Sequence, residues 1–252
     1  MRPKSCPYHI VMGLLMGGQV LMRLIQGKVS RRYVMEHMIS AGPGAVTPVL
    51  MTNFFAGMIF TIQTARELVR YGAMHALGGA FALAFCRELA PILTAAILAG
   101  QVGSAFAAEI GCMKVTDQID ALKILRTDPI DYLVVPRVLA CCIMLPVLTV
   151  LSLVIGIGGG VFVAFQFYGV SPSMFLESVR SMLELSDLLT VLLKAIIFGA
   201  MIALAGCSWG LTTTCSKTVG RSATSAVVST WVSLFVVDFF LSLLLFNGVP
   251  IH

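Results

Sequence analysis

Charge is scarce in this sequence. Its 252 residues hold 17 Lys and Arg and 12 Asp and Glu, so only 12% are charged, against about 25% in a soluble domain. Most of the chain therefore belongs in lipid. Several chemistries are missing as well. There is no Walker-type phosphate loop: "GIGGG" at 156–160 has neither the Lys-Ser/Thr nor the strand-to-helix setting such a loop needs. No Ser-His-Asp arrangement and no pair of catalytic carboxylates stands out. The chain reads as a non-enzyme with no cofactor of its own, so energy for any active process must come from another chain. Seven cysteines, an odd number, show no CxxC spacing and lie mostly in apolar runs, where they act as small hydrophobes. Four scattered histidines propose no metal site. Basic residues interleaved with exposed aromatics are missing, which excludes nucleic-acid binding. No small-residue cleavage site follows a compact apolar core, so the N-terminal residues are not expected to be a signal peptide. No internal repeat is visible.

What is present is apolar length. The chain is 58% hydrophobic with a mean hydropathy of +0.94, and a bilayer core needs about 20 apolar residues in a helix. Five segments meet that need: Gly42 to Ala65, Leu77 to Ala108, Val138 to about Phe167, Ala195 to Leu211 and Ser222 to Phe246. Residues 1–40 form a separate N-terminal region, followed by a membrane domain over 41–252. Within 8–40, Ile10, Leu14, Leu21, Leu24 and Ile25 mix with Arg23, Lys28, Arg31 and Arg32. This suits an amphipathic helix lying in the headgroup layer, with a first short span as the alternative. The fold class is an all-α integral membrane protein, with one interfacial helix and five transmembrane helices.

Basic residues set the orientation. With the N-terminus in the cytoplasm, Arg2, Lys4, Arg23, Lys28, Arg31, Arg32, Lys114, Lys123, Arg126, Arg137, Lys217 and Arg221 lie inside, twelve in all. Arg66, Arg70, Arg87, Arg180 and Lys194 are the other five. This favours a cytoplasmic N-terminus and an outer C-terminus. Residues 169–187 then form an outer amphipathic helix or loop.

Charge concentrates between the second and third spans, where Glu109 to Arg137 hold nine charged residues. Thr116 is an expected N-cap, and Asp117 suits a first helical turn. Val115, Ile119, Leu122 and Leu125 make a short apolar stripe, and Pro129 helps end the helix. This is a cytoplasmic amphipathic helix, either a solvated loop element or a docking lever for a soluble partner. In the second span Ala96, Gly100, Ser104 and Ala108 recur every four residues, which allows close helix packing, within the chain or against a second copy. Gly156 and Gly160 offer the same in the third. Arg87 and Glu88 interrupt an apolar run, and intramembrane charge marks a candidate functional site. Asp238 in the last span raises the same question.

The stretch "RELAPILTAAILAGQVGSAFAAEIGCMKVTDQIDALKILRTDPIDYLVVPRV" resembles the core of the MlaE permeases, the membrane subunits of phospholipid ABC transporters that work with MCE-domain proteins. The similarity covers roughly 40–247. "GMIFTIQTARE", "CSWGLTTT" and "TSAVV" resemble the cyanobacterial and chloroplast branch of lipid importers. The resemblance implies a permease homodimer, a separate cytoplasmic ATPase that binds ATP and Mg, and an MCE-domain protein outside. It implies a coupling helix at Thr116, Asp117, Gln118, Ile119, Asp120, Ala121 and Leu122, and a phospholipid cavity near Arg87 and Glu88, lined in part by Phe60, Ile62 and Thr64. It places the chain in a bacterial plasma membrane of the cyanobacterial type, or in a chloroplast inner envelope. Two positions depart from the family pattern. Gln101 stands where Arg is usual, which removes a charge. Asp117 stands where Glu is usual, which keeps one. The competing readings are a stand-alone secondary transporter or channel, and a non-transporting scaffold that anchors an MCE protein.

Overall fold

The computed structural model describes residues 6–25 and 31–246. Arg2, Lys4 and Lys28 fall outside them, as do the side chains of Ile10, Leu14, Leu24 and Ile25. Helix α1 spans Cys6–Ile25 and α2 spans Arg31–Arg70. The second span is segmented into α3 (Leu77–Ala84), α4 (Ala90–Leu98) and α5 (Ser104–Val115), joined by the π-helical turns Phe85–Leu89 and Ala99–Gly103. Then come α6 (Gln118–Ile124), a π-helical turn at Ile130–Val134 that leads into α7 (Val135–Tyr168), α8 (Pro172–Met182), α9 (Leu185–Leu211) and α10 (Val219–Phe246). Five helical stretches are long and apolar enough to cross a membrane: Gly42–Arg70, Met74–Val115, Ile130–Tyr168, Leu185–Leu211 and Ser216–Leu245. All five expected spans are there.

Helix α1 is described over Cys6–Ile25, and α2 runs unbroken from Arg31 past residue 40 into the first span, so α2 joins the N-terminal region to that span. Its 40 residues extend about 60 Å at 1.5 Å per residue. That is twice the roughly 30 Å of a hydrocarbon core, so its first turns project beyond the bilayer. Helix α1 lays Met16 and Val20 into the core and leaves Leu15 and Leu21 exposed.

Small residues let the spans touch backbone to backbone. A Cβ on Gly57 of α2 would sit 2.2 Å from the Gly156 carbonyl oxygen of α7, and one on Gly159 would sit 2.6 Å from the Phe54 carbonyl. Between α9 and the π turn Ala99–Gly103, a Cβ on Gly206 would come within 2.7 Å of the Gly103 carbonyl. A side chain at any of these would force the helices apart, as expected for association inside lipid. Buried polar groups reinforce the packing. Thr94 and Ser152 share a hydrogen bond of 2.9 Å between the second and third spans, and Asn53 of α2 reaches Thr94 at 3.4 Å.

The stripe Ala99, Gly103 and Ala107 is buried within the chain, whereas Gly100 of the neighbouring stripe is exposed with open space where a Cβ would be. Ala96, Ser104 and Ala108 on that second stripe are half-buried. Outside the span ends, α8 is capped by the Ser171 hydroxyl, which accepts from the Met174 amide at 3.4 Å. Helix α8 closes over the start of the second span: Phe175 is buried there beside Phe81, with ring centroids 5.9 Å apart.

Candidate functional site

Two places concentrate charge, and they differ in depth. The first is inside the spans. The π turn at Phe85–Leu89 puts Arg87 and Glu88 on the side of the helix that faces α9 and α10. Arg87 donates through Nε to Asp187 Oδ1 at 2.8 Å, and its second nitrogen lies 2.7 Å from the same oxygen. Asp187 also accepts the Glu184 amide at 3.2 Å, closing the capping box that starts α9. Glu88 meets Lys194 of α9 at 3.0 Å and accepts from Ser242 of α10 at 2.9 Å. Lys194 has no exposed surface, and it also lies 2.9 Å from Asp238 and donates to the Arg87 carbonyl at 3.0 Å. Buried charge survives only with such partners. Arg87 and Glu88 do not pair with each other; each is drawn to a neighbouring helix.

A π turn shifts the backbone hydrogen-bond register and leaves carbonyls open to outside donors. The first π turn of the second span receives one from Lys194, at the Arg87 carbonyl, and Trp231 Nε1 of α10 donates to the Ala96 carbonyl of α4 at 3.1 Å. Gln101, at the departure from the family pattern, is exposed on the second π turn. Phe60 packs in the same apolar cluster as Phe85 and Leu89 of the first π turn, with Ile62 and Thr64 beyond it on α2. Phe60 packs toward Phe81 at 6.0 Å, Thr64 donates to the Phe60 carbonyl, and the Ile62 carbonyl accepts from Tyr168.

The second place is the turn between the second and third spans. Thr116 is not an N-cap. It ends α5, where its hydroxyl donates back to the Cys112 carbonyl at 2.9 Å. The chain reverses instead at Asp117, whose φ of 56° is left-handed, a region Asp enters more readily than most residues. Helix α6 ends at Ile124, with left-handed Arg126 just beyond. Pro129 therefore does not stop α6; it opens the following turn. Ile119 is buried and Leu122 packs against the core, while Thr116, Asp117, Gln118 and Ala121 face solvent. Leu125, expected on the apolar stripe, is 73% exposed, and Ile124 is 83% exposed. Asp120 sits between Lys123 at 2.8 Å and Lys114 at 3.1 Å, and these two bonds hold its carboxyl below the usual carboxylate range.

Sequence reading missed Lys194 and Asp187 as site residues. The signal was there: Lys194 is the sole charge in "LLTVLLKAIIFGAMIAL". Among the described residues no His, Cys, Asp and Glu group could hold a metal, and the six described cysteines are free.

These features define a polytopic helical membrane protein with a structured turn between its second and third spans. The family model for permease MlaE matches residues 34–244, and the chain belongs to that family of ABC transporter permeases. It is 51% identical over 241 residues to a probable ABC transporter permease, slr1045, of Synechocystis, covering 95% of this chain and 92% of that one. It is 43% identical over 235 residues to the chloroplast protein TRIGALACTOSYLDIACYLGLYCEROL 1 of Arabidopsis thaliana, covering 93% of this chain and 67% of the relative. A probable permease, ycf63, of Porphyra purpurea is 46% identical over 211 residues, 83% of this chain and 80% of its own.

Proposed function

We propose that this permease subunit moves phospholipid or another glycerolipid, driven by ATP hydrolysis in a separate cytoplasmic ATPase and working with an MCE-domain protein on the far side. The observation that carries the reading is the turn at α6. Ile124 and Leu125 stand exposed beside charged residues outside the spans, where water would surround them unless a partner covered them. Anchored from behind by Ile119, the turn is built to receive force. The name of the Arabidopsis relative points to a glycerolipid, and the MCE partner follows from the family resemblance.

A homodimer fits the rest. Gly100 is open, Gln101 is exposed and the Glu88 side chain is 42% exposed within a span. Polar groups there call for a second chain or a wet cavity, not lipid tails. The placement of the basic residues supports a cytoplasmic N-terminus. Setting aside Arg70, Arg87, Lys114, Arg137 and Lys194, which lie within span bounds and are paired, leaves ten basic residues inside against two outside. The relatives from Synechocystis and the Arabidopsis chloroplast support a bacterial plasma membrane of the cyanobacterial type or, alternatively, a chloroplast inner envelope.

The test is the purified complex with its ATPase, carrying Asp117→Lys and Asp120→Lys. Lipid-coupled ATP hydrolysis should fall sharply. Unchanged hydrolysis and transport would remove the coupling role of the turn. Gradient-driven transport by the isolated chain, indifferent to ATP, would remove the whole reading.

A further inference from the structure

Helices α1, α9 and α10 enclose a groove of about 670 Å³, lined by Gly13, Gly18, Leu204, Trp209, Ser233 and Val236 among others. Helix α1 is seated firmly beside it: Met16 and Val20 are buried in the core, and a Cβ on Gly17 would lie 3.2 Å from the Leu204 side chain. Gly13 and Gly18 leave open space where a Cβ would stand, so α1 gives the groove a wall of bare backbone. Thr213, just past α9, donates to the Ser222 hydroxyl of α10 at 3.0 Å and lies beside Gly111 of α5, on the side of the α6 turn. Counted back from Thr213, the α9 lining from Trp209 to Met201 lies about 6–18 Å deep at 1.5 Å per residue. One leaflet's hydrocarbon is about 15 Å deep, half of a 30 Å core. The groove therefore sits among lipid tails, in the leaflet on the α6 side.

The lining asks for an apolar occupant. Its hydroxyls are spent on carbonyls of their own helices: Ser208 on Ala205, Ser229 and Thr230 on Ala226, and Ser233 on Ser229. Trp209 Nε1 donates to the Ser229 hydroxyl at 2.9 Å. A polar ligand would give up its water and gain no donor in return; a hydrocarbon chain gives up nothing. Volume separates the apolar candidates. The groove falls in the range of single-ligand pockets, roughly 300–1,000 Å³. A partner helix about 10 Å across, seated along the two turns from Trp209 to Met201, would displace roughly 900 Å³, more than the groove holds.

The groove also faces away from the second span. Ser229, Ser233 and Val237 line it at four-residue spacing on one flank of α10, whereas Trp231, about 200° round the helix from Ser229, points to Ala96. Toward the α6 side the chain is basic. Lys217 stands in the turn before α10, and Arg221 lies two four-residue steps before Ser229, on the groove flank. Both are exposed, and among the described residues neither joins an ion pair. We infer that this groove is a lipid site separate from any transport cavity, holding one acyl chain of an anionic phospholipid whose headgroup rests on Lys217 and Arg221. The lipid is a resident part that fills the gap between α1 and the last two spans, and not cargo.

Trp209 is the reporter, since Trp231→Phe leaves it the chain's one tryptophan. The full-length chain with that change is placed in phosphatidylcholine bilayers, and phosphatidylglycerol or phosphatidylcholine with brominated acyl chains is titrated in as quencher. Brominated phosphatidylglycerol should half-quench Trp209 at a mole fraction at least about fivefold lower than brominated phosphatidylcholine, the scale of one basic residue at a membrane surface. Lys217→Gln with Arg221→Gln should bring the two lipids together. Gly13→Leu with Gly18→Leu should fill the groove and remove the quenching at low mole fraction. The charge variant leaves the packing untouched, so it decides the matter should the glycine variant not fold. Equal quenching by the two lipids while Lys217 and Arg221 are present, or quenching that survives the leucines, would overturn the inference. Quenching that disappears when the partner chains are added would overturn it too, by giving the groove to a protein helix.

Discussion

The two charged regions of this chain follow opposite rules. Inside the spans, Arg87, Glu88, Asp187, Lys194 and Asp238 are joined across three helices, and the lysine at their centre is wholly buried. Outside the spans, Asp117 and Gln118 face water, and the side chains with least company are the apolar Ile124 and Leu125. Charge is paired where the solvent is lipid, and hydrophobes are bare where the solvent is water. The first arrangement closes the chain on itself. The second leaves it open to a partner.

If that contrast is right, the inner cluster should be costly to break. Lys194→Met keeps the length of the side chain but strands Glu88 and Asp238 in the span. We expect a loss of about 3–5 kcal/mol, the usual result of removing one partner of a buried pair, read from thermal unfolding in detergent. Adding Glu88→Gln and Asp238→Asn should restore part of it, because the three residues act as a unit. A loss equal to the sum of the separate changes would break the comparison.

The outer tip should behave the other way. Ile124→Asp with Leu125→Asp should leave the permease's own stability within about 0.5 kcal/mol, as for surface changes. Its affinity for the ATPase should fall at least about tenfold, or roughly 1.4 kcal/mol, in a pull-down titration.

Trp231→Phe separates hydrogen bonding from packing between α10 and α4. It keeps most of the ring and removes the donor to the Ala96 carbonyl. The expected loss is about 1 kcal/mol, the scale of hydrogen bonds within membranes, by the same melts.

The smallest effect concerns pH. Asp120 is depressed by Lys123 and Lys114. A carboxyl lowered in the folded state contributes its share above the ordinary value and loses it as pH falls through the folded value. ATPase docking should therefore be flat from about pH 8 to about pH 5, with the Asp120 carboxyl titrating below the ordinary Asp value of about 3.9 by carbon NMR.

The five spans were legible because apolar length is a property of sequence alone. So was a helix between the second and third spans. Its caps were not, because Thr116 can bond either forward or back and the chain turns at Asp117 in a left-handed conformation. The π turns were not legible, and the donors to the carbonyls of Arg87 and Ala96 come from Lys194 and Trp231 on other helices. Lys194 was misplaced for a related reason. Read alone it begins a span; in the fold it anchors three of them. The resemblance pointed to Arg87 and Glu88, but their partners came from the packing of α9 and α10.

Everything proposed for transport depends on the outward tip of α6 entering a groove of the ATPase. A photo-crosslinking amino acid at Ile124, compared with one at the buried Ile119, tests this in the membrane of origin. The expected result is a covalent adduct with a nucleotide-binding subunit from position 124 and none from position 119. No adduct at 124, or equal adducts at both, would contradict it.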